Sequence, residues 1–297
     1  MLYDIIVIGA GPAGLTAGIY GGRAGKKVAV IGGMYMGGQA ALTDKIENYS
    51  GHLSVDGFTL TYTMREQAEA FGAEFIDGEV TEVKLKGKVK SVVVDGAKKL
   101  SATSVILAMG TQTRKLGLAN EDALIGQGVS YCATCDGGFF KGKTVVVNGG
   151  GDTAVTDALY LSNIASEVYL VHRRKEFRAA HALIKRLNAT NVKVVLDSVV
   201  SKLKGEPLAA ITVKNVNTGE EQDIASDAIF VAIGATPNTD LVKGQVKLDE
   251  NGYIITNKNM KTNLAGVFAA GDVRRTPLRQ VITACADGAI AAEYTCH

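Results

Sequence analysis

The sequence contains no tryptophan, four prolines, four cysteines and four histidines in 297 residues. Scarce proline and the lack of a Gly-X-Y period exclude a collagen-like or proline-rich architecture. Four cysteines are too few for a disulfide-stapled scaffold. Basic residues number 32 and acidic residues 30, a net charge of +2, without the basic face of a nucleic-acid binder. No apolar run approaches the roughly 18 residues of a membrane span. No basic stretch precedes the first apolar run, so no signal peptide is visible. A soluble, cytoplasmic protein with neither nucleic-acid nor membrane partner is expected. Asn48-Tyr49-Ser50 and Asn188-Ala189-Thr190 match a glycosylation triplet, which means nothing without a secretory signal.

Glycine is abundant. It supplies 35 residues of 297, about 12% against a usual level of about 7%. Such a surplus suits backbones pressed against ligands, as in nucleotide-binding turns. Hydrophobic residues at 46% and charged residues at 21% describe an ordinary globular chain, and the length suggests about two domains.

The chain repeats one device. Asp4-Ile5-Ile6-Val7-Ile8 runs into Gly9-Ala10-Gly11-Pro12-Ala13-Gly14 and an apolar helical stretch to about Tyr20. Thr144-Val145-Val146-Val147 runs into Gly149-Gly150-Gly151-Asp152-Thr153-Ala154 and a helical stretch to Leu161. Each copy is followed by another apolar strand, residues 27–31 and 167–171. Two βαβ units of this kind predict an α/β chain with two Rossmann-like dinucleotide-binding domains. A helix is expected over residues 62–71 and antiparallel strands over 79–106. Two further buried strands end at small residues, at Ala108-Met109-Gly110 and at Ala232-Ile233-Gly234. A third, Val267-Phe268-Ala269-Ala270, ends at Gly271-Asp272. It is read as the return to the first domain. The second domain, 114–241, is then inserted in a first domain split into 1–113 and 242–297.

In the first turn Gly9 makes the bend, Gly11 admits a pyrophosphate, and Gly14 lets helix and strand pack closely. The acidic ribose partner usual after the second strand is missing, because Gly32-Gly33 stands there. The second turn has Ala154 in the third position. His172-Arg173-Arg174 and Arg178 follow, and arginines there suit a 2′-phosphate, hence NADPH rather than NADH. A plain basic helix start is the alternative. His172 is read as part of that phosphate pocket rather than as a base. Cys132-Ala133-Thr134-Cys135-Asp136 is a redox pair with an adjacent proton donor, or half of a zinc knuckle. No second pair and no histidine spacing supports a metal. Cys285 and Cys296 read as buried or tail thiols. Met34 and Met36, around Tyr35, read as a loop over an apolar ligand.

These residues together resemble the bacterial low-molecular-weight thioredoxin reductases. The likeness rests on Cys132-Ala133-Thr134-Cys135-Asp136, residues 149–154, His172-Arg173-Arg174 with Phe177-Arg178, Gly37-Gly38-Gln39, Glu47-Asn48, Gly271-Asp272 and Arg279-Gln280. It implies FAD in the split domain. Gly9, Gly11, Pro12, Ala13 and Gly14 would line its pyrophosphate. Residues 32–39, including Gly32, Gly33, Gly38 and Gln39, would wrap it with Asn48. Ala108 and Gly110 would border it, Asp272 would meet the ribityl chain, and Arg279, Gln280 and Val281 would lie near the isoalloxazine. NADPH would use Gly149, Gly151, Asp152, Thr153, Ala154, His172, Arg173, Arg174 and Arg178.

Electrons would pass from NADPH through the flavin to a Cys132–Cys135 disulfide and on to thioredoxin, with Cys135 facing the flavin, Cys132 attacking the partner and Asp136 handling the proton. A homodimer and a rotation of the inserted domain about its two crossings are implied. Asn148, Thr156-Asp157 and the short tail Thr295-Cys296-His297 depart from the usual pattern. The rival readings are a ferredoxin-fed reductase, an alkyl hydroperoxide reductase flavoprotein, a dithiol oxidase and a non-catalytic nucleotide sensor.

Overall fold

The computed structural model describes residues 2–33, 36–43 and 46–296. Met34 and Tyr35 lie outside the described residues, so their expected loop role is not addressed by the fold. In chain order the elements are β1 (Leu2–Ile8), α1 (Pro12–Arg23), β2 (Val28–Gly32), α2 (Gly57–Ala70), β3 (Glu74–Asp77), β4 (Val80–Lys84), β5 (Lys90–Val94), β6 (Lys98–Leu107) and β7 (Thr111–Thr113). There follow β8 (Val129–Ser130), α3 (Ala133–Asp136), β9 (Thr144–Gly149), α4 (Asp152–Leu161), β10 (Glu167–Val171), α5 (His181–Leu187) and β11 (Lys193–Val195). The chain continues through β12 (Ser198–Lys204), β13 (Ala210–Asn215), β14 (Glu221–Ala225), β15 (Ala228–Ala232), β16 (Ala235–Pro237), β17 (Val267–Ala269) and α6 (Val281–Thr295).

Two compact units result: Met1–Gln112 with Thr236–His297, and Thr113–Ala235. In the first, the strand order is β3-β2-β1-β6-β5-β4. Strand β6 is shared along its length: its start pairs antiparallel with β5, and its end pairs parallel with β17. Its other edge runs parallel to β1. Ile5, Ile6 and Val7 of β1 are buried on both faces, which is why the strand reads as an unbroken apolar run. Helix α1 starts at Pro12, whose missing N–H costs nothing at a first helical position.

Helix α2 begins earlier than residue 62. Asp56 caps it, accepting the Thr59 N–H at 2.8 Å, a local signal that outweighs the weak apolar periodicity that follows. The chain crosses into the second unit at 112/113 and leaves it at 235/236. The return crossing thus lies upstream of the expected 241/242. The physical reason is that the Asn238 N–H bonds the Gly110 carbonyl and Val242 is fully buried in the first unit's core. The crossing strands β7 and β16 pair with each other.

The second unit has a parallel sheet ordered β11-β10-β9-β15-β8 and a separate antiparallel sheet β12-β13-β14. Asn148 holds its place in β9 between Val171 and Val231.

Candidate functional sites

In the first unit, residues far apart in sequence converge on the β1–α1 turn. Gly9 adopts φ +107°, and a Cβ there would stand 2.3 Å from the Ala108 carbonyl oxygen; only glycine lets β1 turn against the end of β6. The Gly37 N–H bonds the Ala10 carbonyl at 2.8 Å, and Gly38 lies beside Gly11. The Gln39 side-chain amide bonds the Thr111 carbonyl. From the other end of the chain, Gly271 packs on Ala13.

Asn48 donates to the Gln280 side chain at 2.9 Å. Gln280 is the N-cap of α6 and forms a capping box with Thr283, so one residue fixes both the helix start and Asn48. Val281 opens that helix.

The convergence includes groups that the sequence patterns did not single out. Asp287 on α6 is buried. Its carboxylate accepts the Gly271 N–H at 3.0 Å and a two-pronged bond from Arg274 at 2.6 and 2.7 Å. This pins the Gly271–Asp272 turn to the helix. The signal was faint: Arg274 and Asp287 match no helical or strand spacing. Asp77, at the end of β3, stands opposite Gly32 in the ladder. It shares a cavity of about 420 Å³ with Gly33, Arg65 and Phe58. That places a carboxylate beside Gly32-Gly33, where β2 itself supplies none.

Three observations test whether a flavin nucleotide fits this unit. Among the described residues, a Cβ at Gly33 or Gly110 would meet nothing within 4 Å, and one at Gly11 only the Gly38 Cα at 4.0 Å. These glycines therefore border open space rather than protein. Arg279 lies 4.3 Å over the Tyr253 ring, yet its Nε is buried with no hydrogen-bond partner among the described residues. Burial pushes the Asp272 carboxyl up to about 6, opposed by Arg279 and aided by Asp287. A buried donor and a buried carboxyl, in the unit whose glycines border open space, suit a polar ligand. The residues fit the group.

In the second unit, the β9–α4 turn sits over a histidine. A Cβ at Gly150 would lie 2.1 Å from the His172 ring. His172 is buried, stacks on Phe177 at 5.3 Å, and bonds the Glu176 carbonyl through Nε2 at 3.1 Å. Burial lowers its pKa; the Glu176 carbonyl opposes this, and Arg174, Arg178 and Arg173 add to it. His172 is thus a neutral floor beneath the turn.

Asp152 accepts the Ala180 N–H at 2.7 Å, and the Arg178 N–H bonds the Gly150 carbonyl at 2.7 Å. These bonds fold the arginine segment back to the turn, with Arg173, Arg174 and Arg178 exposed. Thr153 and Ala154 lie in the first turn of α4, and Gly151 faces open space among the described residues. The set suits a phosphorylated dinucleotide.

The same unit carries a disulfide between Cys132 and Cys135, with Cα atoms 5.3 Å apart. Cys132 caps the short helix α3, and its sulfur accepts the Cys135 N–H at 3.2 Å. That amide favours negative charge on the Cys132 sulfur once the bond is reduced. Asp136 accepts a bond from Ser130 at 2.6 Å. Tyr131 donates to the buried Glu121 at 2.6 Å, and Glu121 also takes the Leu116 and Gly117 N–H groups at 2.8 Å. Neither Ser130 nor Glu121 belongs to a sequence motif. Among the described residues no cluster suits a metal, and no helix is long and apolar enough to cross a membrane. Cys285 is buried and Cys296 partly so.

Residues 3–288 match the pyridine nucleotide-disulphide oxidoreductase family model. The chain is 46% identical to a thioredoxin reductase of Peptoclostridium acidaminophilum, over 98% of this chain and 95% of that one. It is 43% identical to a thioredoxin reductase of Bacillus subtilis (strain 168), over 100% and 94%. Its fold superposes on the crystal structure of thioredoxin reductase from Streptococcus pyogenes MGAS5005 with a TM-score of 0.92 at 40% identity, over 99% and 97% of the two chains. With two strand–glycine turn–helix units and a disulfide in one of them, the chain belongs to the thioredoxin reductase family of pyridine nucleotide-disulphide oxidoreductases.

Proposed function

We propose that this chain reduces the disulfide of thioredoxin with NADPH, through FAD and the Cys132–Cys135 disulfide. The observation that carries the reading is that disulfide, held beside Asp136 in the unit that also bears the second glycine turn and its arginines. FAD belongs to the first unit, held by residues 9–14, Gly32, Gly33, Gly38, Gln39, Asn48, Ala108, Gly110, Asp272 and residues 279–281, with Asp77 supplying the carboxylate that β2 lacks. NADPH belongs to the second, held by residues 149–154 with Arg173, Arg174 and Arg178. When bound, the flavin would supply a two-electron relay between nicotinamide and disulfide.

The chain's own residues do the sulfur chemistry. The net reaction consumes NADPH, one proton and a disulfide, and yields NADP⁺ and two thiols. With the 132–135 bond broken, the Cys132 thiolate attacks one sulfur of the thioredoxin disulfide and the other sulfur departs. Asp136 supplies the proton to the departing thiolate. Cys135 then attacks Cys132, restores the intramolecular bond and releases reduced thioredoxin.

Both the nicotinamide turn and the disulfide belong to one unit and must serve a flavin held by the other. The paired crossings β7 and β16 therefore act as a hinge. A crosslink between the units that left steady-state turnover intact would refute the hinge. A cytoplasmic homodimer completes the reading, on family grounds.

The test is anaerobic. NADPH should bleach the visible flavin band of the yellow protein, and oxidised thioredoxin should restore it. No bleaching by NADPH, with bleaching by reduced ferredoxin, would overturn the NADPH assignment.

A further inference from the structure

The residue that ties the redox segment together is Ser130, at the end of β8. It is 4% exposed, and its hydroxyl sits between two parts of the segment. It accepts the Cys132 N–H at 3.1 Å and donates to Asp136 Oδ2 at 2.6 Å. The Cys132 carbonyl offers a second, longer acceptor at 3.4 Å. At 2.6 Å the bond to Asp136 is short, and a hydroxyl that donates to a carboxylate favours its ionised form.

A hydroxyl has one proton and two lone pairs. One lone pair takes the Cys132 amide, so the proton chooses between two acceptors. With Asp136 ionised, it points to the carboxylate. With Asp136 protonated, the carboxyl O–H donates to the second lone pair, and the serine proton turns to the Cys132 carbonyl. Neither state leaves the hydroxyl unsatisfied, but the bond to the carboxylate is 2.6 Å and the Cys132 carbonyl lies at 3.4 Å, so Ser130 favours the ionised form. A backbone amide in the same place would serve only the ionised form and oppose protonation.

We propose that Ser130 is a positioning residue for the thiol–disulfide chemistry. Its one hydroxyl fixes the Asp136 carboxylate against the Cys132 main chain and reverses its hydrogen-bond polarity as Asp136 gains and loses a proton. The inference rests on the reading of Cys132–Cys135 as the redox centre. In the exchange step the thioredoxin S–S bond breaks as the Cys132–thioredoxin bond forms. The departing thiolate takes the Asp136 proton, and water later replaces it. The electron pair comes from NADPH.

Titratable groups surround this device. Cys132 and Cys135 share its segment. Tyr131, bonded to Glu121, adjoins it on the strand side. Helix α4, which packs on α3, contributes Asp152, Asp157 and Tyr160, with the Tyr160 ring against Gly137. The pH response therefore belongs to a coupled set, and Ser130 is tested by what its removal changes.

The experiment uses the flavin-loaded protein and the variants Ser130→Ala and Ser130→Thr. Dithiothreitol-reduced samples are alkylated with iodoacetamide across the pH range, and NADPH–thioredoxin turnover is measured in parallel. Ser130→Ala should move the acid-side step of the alkylation curve up by about one pH unit and cut turnover about 10-fold, with the KM for NADPH unchanged. Ser130→Thr, which keeps a hydroxyl, should restore both. An alanine curve superposing on the unsubstituted one, or a threonine variant no better than alanine, overturns the proposal.

A second measurement needs no Ser130 variant. The infrared difference spectrum on disulfide reduction should contain a carboxyl band that vanishes in Asp136→Asn, and its absence also overturns the proposal. Alkylation requires neither NADPH nor thioredoxin. It judges Ser130 even if the unsubstituted protein fails to turn over thioredoxin, an outcome that would overturn the functional reading instead.

Discussion

The two glycine turns follow the same plan, yet their surroundings differ. The turn at residues 9–14 is gripped by segments from both ends of its unit: Gly37 on Ala10, Ala108 on Gly9, Gly271 on Ala13, and α6 so close that a Cβ at Gly288 would lie 2.1 Å from the Ala13 carbonyl oxygen. The turn at residues 149–154 meets Ala232 at Gly149 and the segment of His172, Arg178 and Ala180, with no counterpart to the close helix α6, and its arginines are exposed. The first arrangement suits a ligand that stays. The second suits one that comes and goes, bound by charges that water already reaches. On the proposed assignment, one sequence device serves a resident cofactor or a consumed substrate according to what the rest of the chain packs around it.

The sharpest break in this comparison is at the disulfide. Cys132→Ser or Cys135→Ser should lower thioredoxin reduction by at least about three orders of magnitude. The flavin band and its bleaching by NADPH should persist, because neither sulfur belongs to the first unit. Loss of the yellow colour in either variant would contradict the separation of roles.

Next comes the grip on the first turn. Asp287→Ala removes the carboxylate that holds both the Gly271 amide and the Arg274 guanidinium. It leaves a largely buried arginine unpaired, a loss of about 3 to 5 kcal/mol. Flavin retention after gel filtration and the thermal midpoint should both fall. Retention equal to that of the unsubstituted protein would show that the first turn does not depend on this clamp.

The second turn should respond differently. Replacing Arg173 and Arg174 together with alanine should raise the KM for NADPH 10- to 1000-fold, about 1.4 to 4 kcal/mol. Flavin content should stay constant, and discrimination against NADH should fall. An unchanged KM would remove the 2′-phosphate assignment.

The sequence was legible where chemistry is local. Both strand–turn–helix repeats, the Cys132–Cys135 pair and the arginines after β10 depend on residues within one turn or one βαβ unit, so spacing reveals them. Groups that act across the fold were not. Asp287 meets Gly271 only because α6 packs back on the first turn. Asp77 reaches the β2 terminus only through the register of β3. Ser130 and Glu121 look like ordinary residues of a short strand and a loop, and become informative only when their oxygens are seen beside Asp136 and Tyr131. The early start of α2 was readable in principle, from the cap Asp56, but apolar periodicity hid it. The return crossing was misplaced because Asn238 and Val242 reveal their unit only through their contacts.

The smallest expected effect separates the two turns by the sign of a pH response. Asp272, near the first, titrates at about 6 when folded because burial disfavours its charge. An unfolded aspartate titrates at about 3.9. Between those values the folded state holds more protons, so this residue's contribution to stability is present below about pH 4 and lost as pH rises through about 6. His172, beneath the second turn, has its pKa lowered by burial. Below its unfolded value of about 6.5, the unfolded state holds the extra proton, so stability falls as pH drops through that point. Asp272→Asn should flatten the first dependence, a change on the order of 1 kcal/mol after solvent screening. His172→Gln should flatten the second. Thermal unfolding of both variants across pH 4 to 8 reads the slopes. Slopes of the same sign would show that Asp272 and His172 do not differ in how their protonation is linked to folding.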